Sequence, residues 1–89
     1  MSKKETKNVT LRRIFKLIKE NKSTAKEFAE MVDVSQGNVT DWKNGRANPS
    51  LEALRKISKV YNVQLEWLTG DSKYRTKEEE FLSIKREVI

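Results

Sequence analysis

Between residues 24 and 43 the sequence carries two short apolar periodicities separated only by Asp33-Val34-Ser35, and this spacing constrains the fold more than any other feature. Ala25, Phe28, Ala29 and Val32 recur at i, i+3, i+4 and i+7, one face of a helix, and Val39 and Trp42 share a face at i, i+3. A turn this tight sets the second helix at a fixed angle across the first instead of alongside it. Small Ala29 lies on the inner face, where the crossing is closest. The boundaries are written locally as well. Thr24-Ala25-Lys26-Glu27 is a T-x-x-E capping box, and Ser35 suits the N-cap of the next helix, residues 36–43. Asn44-Gly45 closes that helix, and Asn48 before Pro49 is extended.

The flanking segments are helical too. Leu11, Ile14, Phe15 and Ile18 predict a helix over residues 11–21 with Thr10 as N-cap. Ser50 caps a helix over residues 51–61, with Leu51, Leu54, Ile57, Val60 and Tyr61 on one face and Asn62 at its end. A fifth helix, about 64–68, directs Leu65 and Leu68 inward and closes at Gly70. Residues 71–75 read as a linker. Residues 77–88 form a further helix, with Thr76 and Glu79 as a second capping box and Phe81, Ile84 and Val88 as its stripe, flanked by Leu82 and Ile89. That helix folds back, pairs with a second copy, or frays; the sequence leaves the three open. No segment alternates at period two. The expected fold is all-α: a basic arm over residues 1–9, a compact five-helix domain over 10–70, and a linker plus extra helix over 71–89.

Composition removes several classes of function. The 89 residues contain no cysteine and no histidine. Disulfides, zinc fingers and thiolate or imidazole metal sites are therefore excluded, as are His general bases and Ser-His or Cys-His nucleophile pairs. Carboxylates are scattered on polar faces and no phosphate-cradling glycine loop occurs, so neither an enzyme nor a cofactor is expected. No run of about 18 apolar residues exists to span a membrane. The start, MSKKETKN, lacks the apolar core of a secretory signal, and a cytoplasmic location is expected. Net charge is +6, and residues 1–22 hold eight basic residues against two acidic ones, so the whole excess lies in the arm and first helix. Such a block suits a polyanion, nucleic acid or an anionic membrane surface; alternatively it is a solvated face that aids solubility.

The third helix offers Gln36, Gly37, Asn38, Thr40 and Asp41 outside its apolar face. Gln and Asn bond adenine at two points, Thr meets a thymine methyl or a base edge, and Asp accepts from cytosine. Asn, Thr and Gly are poor helix formers, so their use here indicates a purpose other than folding. Around these residues, residues 11–70 resemble the lambda-repressor/Cro-like, or XRE, family of helix-turn-helix regulators. The resemblance rests on Phe28-Ala29, Val34-Ser35-Gln36, Trp42-Lys43-Asn44-Gly45, Pro49-Ser50-Leu51 with Leu54, and Val63 through Gly70.

The resemblance implies a third helix that enters the major groove of double-stranded DNA, with Gln36, Gly37, Asn38, Thr40 and Asp41 on base edges. It implies phosphate contacts from the start of helix two and the loop after helix three, for which Lys26, Ser35, Lys43, Asn44 and Arg46 are candidates, joined by Arg12 and Arg13 of the first helix. A repressor that binds a two-fold operator as a homodimer is the implied function, with Leu65, Trp67, Leu68 and Phe81 as interface candidates. The alternative is an antitoxin-like module that autoregulates its operon and meets a protein partner through its C-terminal segment. The chain departs from the family pattern in four places. Asp33 stands where glycine is usual, at a left-handed turn; Ala25 replaces a frequent phosphate-binding glutamine; Lys43 replaces a frequent glutamate; and Gly37 gives up a side chain within the recognition helix.

Overall fold

The structure is a computed structural model and describes residues 8–88, with side chains as far as Lys85. The basic arm up to Lys7, the Val88 side chain and Ile89 lie outside the described residues. Six helices follow one another with no strand among the described residues: α1 Val9–Glu20, α2 Ala25–Met31, α3 Gln36–Lys43, α4 Leu51–Tyr61, α5 Leu65–Thr69 and α6 Lys77–Val88. The fold is all-α, with α2 packed on α3, and α5 on both α1 and α4.

Helix starts follow the local chemistry. Thr24 Oγ1 accepts from the Glu27 amide at 3.0 Å while the Glu27 carboxylate accepts from the Thr24 amide at 2.8 Å, completing the expected box. The hydroxyls of Ser35 and Ser50 accept from the amides of Asn38 and Ala53 at 3.0 and 3.1 Å. Two helices start elsewhere than expected: α5 begins at Leu65, one residue late, with Gln64 before it, and α1 begins early. It begins at Val9, beyond Asn8, and Thr10 is inside the helix instead of capping it. Val9 is held there by tertiary packing: it lies against Gly70, where a Cβ on the glycine would be 3.4 Å from Val9 Cγ1.

Four helices end alike. Lys22, Asp33, Gly45 and Asn62 take the left-handed conformation, with φ of 54°, 57°, 76° and 56°. After each, the next amide reaches back five residues: Ser23 to the Ile18 carbonyl, Val34 to Ala29, Arg46 to Asp41 and Val63 to Ser58. These bonds satisfy carbonyls that a helix end otherwise leaves without partners. Asp33 thus occupies the left-handed turn expected of it.

The core draws on the first five helices, with Ile14, Phe28, Ile57 and Leu68 fully enclosed. Leu17, outside the predicted stripe of α1, is buried, whereas Phe15 is only partly covered. The face predicted for α4 is too wide. Ala53, Leu54 and Ile57 are buried, but Leu51 and Val60 at its two ends are exposed, because α4 contacts the core over its middle turns. Tyr61 stacks on Phe28 with ring centroids 6.0 Å apart. Its hydroxyl is the one buried side-chain polar group without a hydrogen-bond partner among the described residues.

Residues 71–75, expected as a linker, are docked on the domain. The Ser72 amide donates to the Glu66 carbonyl at 3.0 Å, and the Gln64 amide donates to the Arg75 carbonyl at 2.7 Å. Gln64 Nε2 donates to the Tyr74 carbonyl at 3.1 Å and to Glu80 of α6 at 3.3 Å. Two guanidinium groups lie over the Trp67 ring, Arg13 at 5.0 Å and Arg75 at 4.7 Å from its centroid. Arg75 also grips Glu20 with two bonds, at 2.9 and 3.1 Å. That hydrogen bond holds the Glu20 carboxyl below its ordinary pKa, helped by the nearby charges of Arg75 and Lys16 against a desolvation that acts the other way.

Candidate nucleic-acid interface

Helix α3 is carried rigidly. Val39 and Trp42 are buried on its inner side, Ala29 of α2 is 2 % exposed at the crossing, and Ser35 fixes its first turn. The turn that aims it is braced from α4: Lys56 Nζ donates to the Asp33 carbonyl at 3.2 Å and lies 3.4 Å from its carboxylate. Lys56 is a positioning residue that sequence reasoning missed. No local pattern joins residues 23 positions apart, so nothing in the spacing signals it.

With Val39 and Trp42 inward, the 100° step of the helix turns Gly37, Thr40, Asp41 and Asn44 directly outward, with Gln36 and Lys43 along one flank and Asn38 along the other. Gln36, Gly37, Asn38, Thr40, Lys43 and Asn44 are exposed, and Asp41 is half-buried. Of the five residues expected at base edges, Gly37, Thr40 and Asp41 therefore share the outer face, while Gln36 and Asn38 lie on its opposite flanks. The Thr40 hydroxyl donates to the Gln36 carbonyl at 3.1 Å, which leaves its oxygen as an acceptor and its methyl for contact. Asp41 lies 3.6 Å from Arg46, an exposed pair that contributes little to stability but ties the loop after α3 to the helix. Asn38 faces a depression shared with Asp33, Ser35, Ala47 and Asn48. At Gly37 the nearest atom to an added Cβ is Ser35 Oγ at 3.8 Å, so the fold does not require glycine there.

Exposed cations gather at one end of this surface, and another lies on α2. Lys26 is exposed in the first turn of α2, and Lys43 and Arg46 are exposed at the far end of α3. Arg12 lines an open apolar depression with Asn8, Leu11, Phe15, Trp42, Lys43 and Gly45, which brings it beside the end of α3. The Ser35 hydroxyl accepts within its cap and keeps its own hydrogen to donate. Arg13 departs from this group. Its Nη1 donates to the Trp67 carbonyl and, at 2.9 Å, to the Ser72 carbonyl, so its charge is spent inside the molecule. Burial pushes its pKa down, and the neighbouring Arg12 adds to the effect.

The interface candidates divide in the same way. Trp67 and Leu68 are 5 % and 0 % exposed within the domain core, and Leu65 is partly buried against it. Neither Trp67 nor Leu68 has surface left for a second copy, because Arg13, Arg75 and the docked 71–76 segment cover α5. Phe81 differs, at 60 % exposed.

A buried, braced second helix with a polar outer face and cationic margins defines a helix-turn-helix protein. The family model described as Helix-turn-helix matches residues 11–68, and the chain belongs to that family, in its XRE, lambda-repressor/Cro-like form. The chain is 42 % identical over 55 residues to an uncharacterised HTH-type transcriptional regulator of Haemophilus influenzae, covering 61 % of this chain and 23 % of that protein. It is 30 % identical over 56 residues to the HTH-type transcriptional regulator ImmR of Bacillus subtilis, covering 63 % of this chain and 44 % of that one. The chain thus spans less than half the length of either relative. No solved structure matches it. Among the described residues no helix is long and apolar enough to cross a membrane.

Proposed function

We propose that this protein is a sequence-specific transcriptional repressor that binds a two-fold DNA operator as a homodimer. The observation that carries this reading is the outer face of α3, where amide, hydroxyl and carboxylate side chains surround a glycine the fold does not need. In this arrangement Gln36, Asn38, Thr40 and Asp41 meet base edges in the major groove, and the Gly37 backbone passes close to a base. Lys26, Ser35, Lys43, Asn44, Arg46 and Arg12 hold the phosphates on either side. The names of both relatives as transcriptional regulators support the same reading. One domain presents a single recognition helix, so two copies are needed to span half-sites about one helical turn apart.

Binding to duplex DNA from the protein's own promoter, compared with a scrambled duplex across a salt series, tests the proposal. A specific complex tighter by about 10³-fold or more, and weakened by Gln36→Ala, supports it. Equal and weak binding to both duplexes, abolished by modest salt, overturns it. A second reading, a toxin-neutralising module that autoregulates its operon, draws on the exposed Phe81, Leu82 and Ile84 of α6. Co-purification of a second small protein through that face would be its sign.

A further inference from the structure

Asp41 is the one acidic residue between Gln36 and Asn44, and it stands on the outer face of α3. A carboxylate there meets DNA phosphates of its own sign unless a cation accompanies it. The chain puts Arg46 in place to do so. Gly45 ends α3 in the left-handed conformation, with φ of 76°, and the Arg46 amide then donates to the Asp41 carbonyl at 2.8 Å. Glycine serves that turn through its φ and not through its size, since an added Cβ would meet nothing within 4 Å. The backbone bond tethers residue 46 to residue 41 before either side chain acts. Arg46 Nη1 then lies 3.6 Å from Asp41 Oδ1, with 70 % of the Arg46 side chain and 44 % of the Asp41 side chain exposed.

We infer that Arg46 is a positioning residue for Asp41, and that the pair acts together to read a cytosine. In water so exposed a pair contributes little to stability. Against DNA the site is drier, and there the same attraction strengthens. A carboxylate only accepts hydrogen bonds, through two oxygens. Arg46 holds the Oδ1 side, which leaves Oδ2 to accept from the amino group of cytosine in the major groove. Guanine and thymine present acceptors at that edge and are rejected, and adenine sets its N7 acceptor beside its amino group. Without Arg46 the carboxylate is neither oriented nor neutralised, and the phosphates repel it. The guanidinium carries five donors, so it holds a phosphate and Asp41 at once. The inference rests on the reading of α3 as a recognition helix. It adds that Arg46 sets sequence preference without itself touching a base.

Selection of binding sites from a pool of randomised duplexes, run with the full chain and its variants, is the test. The wild type selects a site containing a cytosine that Asp41→Asn no longer prefers. A base pair read in this way is favoured roughly 5- to 150-fold over its competitors. Arg46→Gln removes most of that preference and leaves the other positions intact. Arg46→Lys keeps the charge but loses the planar fork, and recovers part of it. Arg46→Gln retains the backbone amide, and an unchanged helical spectrum and melting temperature show that the variants fold. A guanidinium that served phosphates alone would behave differently. Arg46→Gln would then weaken every sequence alike, lower the salt slope by about one and leave the selected site unchanged. That outcome overturns the inference while DNA recognition by α3 stands, as does a wild-type site whose every preference survives Asp41→Asn. A wild type that selects no site removes the recognition reading and the inference with it.

Discussion

Replacing Gly37 with alanine separates what α3 needs for folding from what it needs for recognition. Alanine is favoured over glycine by about 0.8–1.0 kcal/mol inside a helix. Gly37 lies in the first turn, where fewer ladder bonds depend on it, so a gain of about 0.5–1 kcal/mol is expected. No steric term opposes the gain, because the new Cβ meets only Ser35 Oγ, at the ordinary contact distance of 3.8 Å. For a domain of this size that gain raises Tm by roughly 2–8 °C. DNA binding moves the other way. A methyl group at the centre of the outer face pushes α3 back from the base edges, and the bonds made by Gln36 and Thr40 lengthen past useful range. Loss of one good two-point base contact, about 1–3 kcal/mol, weakens promoter binding roughly 5- to 150-fold. Affinity for scrambled DNA is unchanged, since the phosphate-binding cations are untouched. Thermal melts and electrophoretic titrations on the two duplexes read both effects. A variant that melts higher and binds its promoter as tightly as the wild type refutes the close-approach argument. A variant that melts lower refutes the reading of open space.

Three further outcomes are expected. Asp33→Gly relieves a left-handed residue, which costs roughly 1–2 kcal/mol, but gives back part of this through the freer unfolded chain; urea melts should show a small gain, smaller than Lys22→Gly at the same conformation because position 33 also loses the carboxylate near Lys56, keeping only the carbonyl bond. Tyr61→Phe removes a buried hydroxyl that has no partner and keeps the stack on Phe28, so the midpoint in urea should hold or rise, and a clear fall would show that the hydroxyl is satisfied in solution. The lowered Glu20 pKa means that its bond to Arg75 stabilises the fold above the ordinary carboxylate pKa and is lost as pH falls through the lowered value; Glu20→Gln should flatten this part of the acid melting profile, and a profile identical to the wild type would show that the Arg75 bond does not persist.

Features fixed by neighbours in the chain were legible from the sequence, and features fixed across the fold were not. Thr24, Ser35, Ser50 and Thr76 cap the helices they were expected to cap, because a cap involves residues three apart. The bounds of α3 and α4 follow from the same local chemistry. Helical spacing placed Leu51 and Val60 on the inner face of α4, but spacing cannot say how far along a helix its neighbours extend. Residues 71–75 read as a linker because they show no period. Their order comes from partners such as Arg13, 59 residues from Ser72, and Glu20, 55 residues from Arg75. The outer face of α3 was visible residue by residue, since any helix with Val39 and Trp42 inward presents the same set outward. Arg12 and Arg13 looked equivalent. Only the position of α5 sends one to the recognition helix and the other to Trp67.

The docked 71–76 segment changes where the working unit ends. The family match stops at residue 68, and a fragment cut at Gly70 would keep every helix of that match. It would also lose the second carbonyl that holds Arg13 and the guanidinium of Arg75 that covers Trp67. Such a fragment uncovers one face of the Trp67 indole and leaves Arg13 with the Trp67 carbonyl alone. It would therefore tend to lose stability and to aggregate. Affinities measured on it would describe an artefact of the cut, and the smallest faithful unit runs at least through Thr76.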